Sequence, residues 1–187
     1  MTVTLLRSYS ADLELRGGDG RTLVGLAAPF NAPADIFEHG QRFTETIAPG
    51  AFSRTIAQRG GKVPLHAVHD VTRKLPLGPV HKMTETGDGL RIEARISKTQ
   101  AGDEVLELIR DGALSGLSIG FSPVREQWSK DGKNRTLQEI ALREISVVDA
   151  PAYREAQIAA LRSALPAPSG PTIHFYERSL WLARQEH

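Results

Sequence analysis

Cysteine is absent from the 187-residue sequence, and aromatic residues make up only 6% of it. The absence of cysteine excludes disulfides and thiolate chemistry, so a zinc site would need histidine and carboxylate ligands alone. The sequence also has little net charge, because 23 Lys+Arg stand against 22 Asp+Glu and leave a formal charge of +1. This balance provides no overall field that would favour binding to nucleic acid or to an acidic surface.

Long apolar runs are missing as well. No segment approaches the roughly 18 consecutive apolar residues that indicate a membrane span. Residues 1–30 lack the basic start and the uninterrupted apolar stretch of a signal peptide. We therefore expect a soluble, cytosolic protein whose length is sufficient for one domain with its own core.

The sequence consists largely of short segments with the period of β-strands, separated by turn residues. Strict alternation of apolar and charged residues over 90–96 predicts a half-exposed strand. Other strands are predicted at 13–15 and 23–30 as a hairpin, and at 42–47, 63–68, 77–83, 117–127 with a break at Pro123, and 135–148. The turn Asp131-Gly132 predicts a hairpin between the last two strands. Helices are predicted at 49–59, ended by the glycines 60 and 61, at 99–111, capped by Thr99 with residues 105, 108 and 109 on one face, and at 153–165. This order lacks the βαβ alternation of a doubly wound sheet. We predict an α+β fold, a mainly antiparallel β-barrel of about six to eight strands with a few surrounding helices.

The segment 112–121, Gly-Ala-Leu-Ser-Gly-Leu-Ser-Ile-Gly-Phe, predicts a turn that leads into a strand. Alternation places the apolar residues 117, 119 and 121 on one face and Ser118 and Gly120 on the other. With glycines on both sides, Ser118 is uncrowded and can serve as a nucleophile if a base and an orienting group lie nearby. The alternative is a core strand with incidental hydroxyls at Ser115 and Ser118.

Gly116-x-Ser118-x-Gly120 also has the spacing of the nucleophile elbow of α/β-hydrolases. The elbow requires a strand-to-helix turn, followed along the chain by an acid and then a histidine. Here the residues after Gly120 are strand-like and include a proline, and the later histidines, His174 and His187, lie in the tail. The sequence therefore argues against an α/β-hydrolase.

His66 and His69 are candidates for the base that a serine nucleophile needs. Three residues apart in a strand, they would point to opposite faces, so only one of them readily faces a given serine. His69 is nearer to the following loop and precedes Asp70, which favours it for a polar cleft. The pair also allows a metal site with Asp70 or His81 as a third ligand, although the spacing of structural zinc sites is absent.

Glu144 is a candidate for the orienting group, and it lies in the otherwise apolar segment 141–151. A carboxylate in such a strand is costly to bury unless it is paired. Its position alone slightly favours a salt bridge to Arg143 or Arg91. Asp149, beside the proline turn, is either a turn residue or an alternative orienting acid.

Taken in this order, His69, Ser118 and Glu144 and the segments around them resemble the prohead (capsid maturation) proteases of HK97-type tailed phages. These are serine peptidases similar in fold to the herpesvirus assemblins. The matching segments run in order over about residues 10–162: Gly-Leu-Ala-Ala-Pro-Phe-Asn (25–31), Ile-Ala-Pro-Gly-Ala-Phe (47–52), Val-Pro-Leu-His-Ala-Val-His-Asp (63–70), Leu-Gly (77–78), Asp-Gly-Leu (88–90), the segment 112–121, and Leu-Arg-Glu-Ile-Ser-Val-Val-Asp-Ala-Pro-Ala (142–152).

The resemblance implies that Ser118 is the nucleophile, His69 the base and Glu144 the acidic third member. Val68 departs from the family pattern, in which asparagine is common before the histidine. The implied activity is that of a serine endopeptidase which needs no metal or other cofactor. A catalytically silent capsid-assembly module that keeps the barrel is the alternative.

The family's substrates imply the partners of this chain, namely the scaffolding segment of the major capsid protein, the scaffold, and the protease itself. The expected location is the assembling prohead in the cytoplasm of a bacterial host, without a nucleic-acid or membrane partner. Self-association is left open, because the sequence shows no obvious dimer stripe.

The protease domain is expected to span residues 10–165. Residues 166–171, Pro-Ala-Pro-Ser-Gly-Pro, predict an exposed linker at the start of a tail that covers 166–187. Because exposed extended backbone can enter a protease cleft, we predict self-cleavage between about residues 161 and 171. The alternative is a flexible linker that host proteases cut.

Overall fold

Ten strands of the computed structural model, which describes residues 4–38, 40–68 and 75–149, join in one sheet. The elements in chain order are β1 (Leu5–Ser10), β2 (Glu14–Arg16), β3 (Thr22–Pro29), β4 (Ala34–Glu38), β5 (Gln41–Ile47), α1 (Ser53–Arg59), β6 (Val63–Ala67), β7 (Gly78–Glu85), β8 (Gly89–Arg95), α2 (Gln100–Arg110), β9 (Gly116–Trp128) and β10 (Asn134–Val148). The prediction of six to eight strands was therefore too low.

The main path of the sheet runs β1-β9-β10-β6-β7-β8-β3-β2, with β5 also paired to β10 and β4 paired to β5. Most pairs are antiparallel, as predicted, but β10 runs parallel to both β5 and β6, so the sheet is mixed. Within the described residues the path is open at β1 and β2. The sheet curls into a half-barrel rather than a closed barrel.

The core lies inside this curl. Leu117, Ile119 and Phe121 of β9 are completely buried there. Leu117 also approaches β3 across the interior, because its Cδ1 lies 3.0 Å from where a side chain at Gly25 would begin. A side chain at residue 25 would require Leu117 and Leu13 to shift, so the glycine favours this approach. The curl thus brings β3 and β9 into contact, although these two strands are far apart in the hydrogen-bonded order of the sheet.

Helix boundaries follow local chemistry. The Thr99 side chain caps α2 as predicted, accepting a 3.1 Å hydrogen bond from the N–H of Gly102. The buried stripe of α2 contains Val105, Leu106 and Ile109. Leu108, predicted to share this stripe, is exposed instead, because it falls at the margin of the i, i+3, i+4, i+7 pattern.

The first helix is shorter than predicted. Pro49 and Gly50 form a turn before it, in which the N–H of Ala51 bonds to Ala48, and α1 begins at Ser53. Gly60 ends α1 in the left-handed conformation, as its position predicted.

Two strands were missed and one predicted break is wrong. β1 and β4 have weak apolar alternation, so their pairing with β9 and β5 was not visible in the sequence. Pro123 does not interrupt β9, which continues to Trp128 with an irregular register near the proline. The predicted hairpins over 13–30 and around Asp131-Gly132 are confirmed. The predicted helix 153–165 and the linker lie outside the described residues.

None of the helices in the described part of the chain is long and apolar enough to span a membrane.

Candidate active site

Ser118 lies within β9, on the face of the strand opposite to the core. Its neighbours Leu117 and Ile119 are fully buried in the core. Ser118 is directly opposed by Ser8 on β1 and by Ser146 on β10. Opposed residues of antiparallel strands project to the same face, so the three serines form a row across the sheet. The predicted division of β9 into two faces is confirmed, and Ser118 is not in a strand-to-helix elbow.

The surroundings of Ser118 differ from the sequence prediction. The residue is completely buried rather than uncrowded. Its Oγ donates a 3.0 Å hydrogen bond to the backbone carbonyl oxygen of Arg7 on β1. The strand β1, which alternation did not reveal, lies directly beside β9 and supplies this carbonyl. To act as a nucleophile, the Ser118 hydroxyl would have to donate its hydrogen bond to a base instead of to this carbonyl oxygen.

A β-bulge in β10 determines the direction of Glu144. Leu142 opposes Phe121 and Glu144 opposes Gly120, so the two steps along β10 match one step along β9. Arg143 is the extra residue, and it is exposed. Strict alternation would place Glu144 on the core face with Leu142. The bulge instead turns it to the face of the candidate nucleophile, as bulges near functional sites commonly do.

The side chain of Glu144 lies across Gly120. A Cβ atom placed on Gly120 would be 2.6 Å from Cγ of Glu144 and 3.2 Å from its Cδ and Oε1. Non-bonded carbon atoms pack at about 3.5–4.0 Å, so this arrangement requires glycine. Because Gly120 and Ser118 share a face of β9, the half-buried carboxylate is directed towards the strand that carries the serine.

Two arginines, Arg143 and Arg91, were expected as possible ionic partners of Glu144. Arg91 lies on β8, which is three strands from β10 along the sheet. Arg143 directly precedes Glu144 at the bulge and is exposed. The sheet order therefore argues against Arg91, and a pairing of Glu144 with Arg143 stays a prediction.

The row of side chains continues from Ser146 to His66 on the parallel strand β6. Ser146 is completely buried, and its Oγ has no hydrogen-bond partner among the residues that the structure describes. His66 is half-buried and shares the face of Ser118, but two strand spacings of about 5 Å each separate their backbones. His66 therefore lies in the same row as the candidate nucleophile without being its direct neighbour.

His69 and Asp70 lie outside the described residues. The described chain before them ends at Val68, whose N–H donates a 2.8 Å hydrogen bond to the carbonyl oxygen of Val147. Val68 has a φ of 44°, a left-handed conformation that is unusual for a β-branched residue. The strict alternation assumed for His66 and His69 therefore ends before His69.

A buried ionic network occupies the core side of β1, β5 and β10. Glu45 accepts hydrogen bonds from Arg7 Nε at 2.7 Å and from Arg135 Nη1 at 3.1 Å. Arg7 Nη2 also donates to Glu38 at 2.9 Å, and Arg135 pairs with Glu126. This network holds β1 to the sheet on the face opposite to Ser118.

Tyr9 lies in β1, the strand that also carries Arg7, and the ionisation of its phenol depends on this network. Burial, assisted by the negative charge of Glu45, raises the pKa of the Tyr9 phenol far above its usual range. The phenol therefore stays neutral in the folded protein.

The metal alternative gains no support from the described residues, among which no group of three or more potential ligands is arranged to hold an ion. The pair His66 and His69 falls partly outside them. Sequence reasoning also missed the bulge at Arg143, the contact of Glu144 with Gly120 and the buried hydroxyl of Ser146. A signal for the bulge was the break in apolar alternation between Leu142 and Ile145, although only strand pairing shows the face to which Glu144 turns.

The fold is that of a phage capsid assembly protease. The capsid assembly protease of bacteriophage T4 superimposes with a TM-score of 0.52, covering 79% of this chain and 96% of that one, at 14% sequence identity. A match at this identity establishes the fold alone. Residues 10–167 match the sequence model of the caudovirus prohead serine proteases. The chain therefore belongs to that family, as the resemblance predicted.

Two relatives are curated as prohead proteases. That of enterobacteria phage HK97 is 31% identical over 148 residues, covering 78% of this chain and 63% of the relative. That of Escherichia phage T5 is 30% identical over 87 residues, covering 46% of this chain and 40% of the relative. The chain thus matches less than two thirds of the length of each of these relatives.

Proposed function

We propose that this protein is a serine endopeptidase of prohead maturation, which cleaves the scaffolding segment of a phage major capsid protein and also itself. Family membership supports this proposal, together with relatives named prohead protease and a related fold in a capsid assembly protease. The site of action would be the assembling prohead in the cytoplasm of the bacterial host. The proposed protease domain covers residues 10–165.

In this proposal Ser118 is the nucleophile, His69 the general base and Glu144 the group that orients the base. The observation that carries it is the placement of Ser118 and Glu144 on one face of two adjacent strands. Without the bulge at Arg143, Glu144 would point into the core instead. The family resemblance supplies His69, which follows Val68 in the chain, and Val68 is bonded to β10 beside Ser146.

The reaction is acyl transfer. His69 removes the proton of the Ser118 hydroxyl as Oγ attacks the peptide carbonyl carbon, and the imidazolium then protonates the leaving amine. Water hydrolyses the acyl-enzyme by the same steps. Glu144 stabilises the imidazolium and holds its productive tautomer. Before attack, the Ser118 hydroxyl must rotate from the Arg7 carbonyl towards the base.

Labelling with a fluorescent fluorophosphonate in the presence of EDTA tests the chemistry. The wild-type protein and Ser115→Ala should be labelled, whereas Ser118→Ala should not. His69→Ala should lose labelling about as fully as Ser118→Ala, because members of one catalytic unit are strongly non-additive. His66→Ala should lose less. Labelled Ser118→Ala protein would refute the nucleophile assignment, and a greater loss in His66→Ala would move the base to His66.

A catalytically silent assembly module is the second candidate. The complete burial of Ser118 and its bond to a main-chain carbonyl favour this reading. It predicts no labelling of folded wild-type protein and no processing of co-expressed capsid protein. EDTA-sensitive cleavage would instead indicate a metal hydrolase.

A further inference from the structure

We propose that Gly120 is a positioning residue of the active site, whose missing side chain allows the Glu144 carboxylate to lie over β9 beside Ser118. This inference rests on the proposed role of Glu144. It assigns a function to the glycine that neither the fold nor the family name supplies.

The contact is specific to one side chain. The three atoms nearest to a Cβ on Gly120 all belong to Glu144, at 2.6, 3.2 and 3.2 Å. A methyl group at residue 120 would occupy the space of Glu144 Cγ and displace the carboxylate. The clash involves no backbone atom within that set, so the side chain can move away while the two strands remain paired.

Two other glycines provide a contrast, Gly78 in β7 and Gly87 in the turn between β7 and β8. A Cβ on Gly78 would collide with the backbone carbonyl oxygen of Arg95, which cannot move without distorting β8. A Cβ on Gly87 would have no atom within 4 Å. These two residues therefore serve as controls for a structurally required glycine and for an unconstrained one.

The bulge and the glycine make separate contributions to the position of the Glu144 carboxylate. The extra residue Arg143 turns Glu144 to the face of Ser118, and Gly120 then provides the surface on which its side chain rests. Displacing a catalytic group by about 1 Å can reduce a rate by about a hundredfold. Loss of the glycine should therefore reproduce the catalytic defect caused by loss of the carboxylate.

The test is a double-mutant cycle with Gly120→Ala and Glu144→Ala in the full-length protein, measured as the rate of fluorophosphonate labelling. We expect each single variant to be slower by about a hundredfold. The double variant should be no slower than Glu144→Ala alone, because the glycine acts only through that carboxylate. Gly87→Ala should retain the wild-type rate.

Unfolding by urea separates positioning from folding. Gly78→Ala should lower the free energy of unfolding equally in the wild-type and Glu144→Ala backgrounds. Gly120→Ala should lower the free energy of unfolding by less in the Glu144→Ala background, because the Glu144 side chain no longer fills the space beside residue 120. Equal cost in both backgrounds would show that Gly120 serves packing of the strand and would overturn the proposal.

The pH profile of labelling provides a readout that a structural role would not change. A nearby carboxylate favours the imidazolium, so its removal or displacement should lower the pKa of the base. The acid limb of the profile should therefore move to lower pH in both Gly120→Ala and Glu144→Ala. An unshifted limb in Gly120→Ala contradicts the proposal.

The outcomes distinguish this inference from the proposed function. Slow labelling of Glu144→Ala with a wild-type rate for Gly120→Ala refutes the positioning role and leaves the triad intact. A wild-type rate for Glu144→Ala refutes both the orienting role of Glu144 and the inference. Labelling of Ser118→Ala refutes the nucleophile assignment by itself.

Discussion

Val68 shows how a single backbone conformation can conflict with its side chain. Among the described non-glycine residues, Asn31 and Val68 have positive φ angles, of 53° and 44°. Asparagine tolerates this region, whereas a β-branched side chain crowds its own backbone there. The cost falls on the residue that precedes the proposed base.

Replacement of Val68 by asparagine should therefore stabilise the fold. We expect Val68→Asn to raise the free energy of unfolding by about 1 kcal/mol, because the left-handed conformation becomes less strained. The hydrogen bond from residue 68 to Val147 is retained, since it uses the main chain. Urea denaturation measures the effect.

Val124 is the matched control for this change. It is half exposed like Val68, at 50% against 48%, but it lies within β9. Val124→Asn should give no gain, because asparagine is disfavoured in strands. Equal effects of the two substitutions would mean that polarity at the surface, rather than backbone strain, is responsible.

Ser146 presents a different problem at the scale of residues, because its buried hydroxyl finds no hydrogen-bond partner within the described part of the chain. Leaving such a group unsatisfied costs about 1–3 kcal/mol. Ser146→Ala should therefore leave the free energy of unfolding unchanged or raise it. Ser118→Ala removes a made hydrogen bond to Arg7 and should lower it by about 1 kcal/mol. A loss in Ser146→Ala as large as that in Ser118→Ala, in the same urea series, would contradict this interpretation.

At the scale of elements, β1 is held by charge as well as by its ladder with β9. Glu45 is 2% exposed and lies between two arginines, Arg7 on β1 and Arg135 on β10. Replacing Glu45 removes the carboxylate that the two arginines share, whereas Arg7 keeps Glu38 and Arg135 keeps Glu126 as ionic partners. The attachment of β1 also matters for the site, because the carbonyl that accepts the Ser118 hydrogen bond belongs to this strand.

Neutralising Glu45 should consequently be costly. We expect Glu45→Gln to lower the free energy of unfolding by about 1.5–3 kcal/mol, because it weakens hydrogen bonds to two largely buried arginines that each keep a second carboxylate. Glu14→Gln is the control, because Glu14 pairs with Arg16 on the surface and should cost less than about 1 kcal/mol. Thermal and urea unfolding of the two variants measure the difference. Equal, small effects would show that the network contributes little.

For the whole molecule, the remaining prediction concerns the processing of its C-terminal part. Residues 166–171 contain three prolines, and we propose that the chain is cut by its own active site between about residues 161 and 171. Intact-mass measurement should find a shortened wild-type protein and a full-length Ser118→Ala variant. The same truncation in both would indicate cleavage by host proteases.

Much of the fold could be predicted from local patterns. Strict alternation revealed β8, the Asp131-Gly132 turn revealed the hairpin of β9 and β10, and Thr99 marked the start of α2. The missed strands β1 and β4 have weak apolar alternation, and they form because they pair with other strands, β1 with the distant β9 and β4 with β5. Alternation also misled for Ser118, because a neighbouring strand can bury a residue that its own sequence leaves uncrowded.

The sequence by itself determined the family and the order of the proposed site residues, because these depend on residue types and their spacing along the chain. It also determined which face of β9 Ser118 occupies, since strand alternation is a local property. Only the tertiary structure decided the direction of Glu144. A bulge is defined by the pairing of two strands, and one extra residue opposite Phe121 and Gly120 reverses every face that follows.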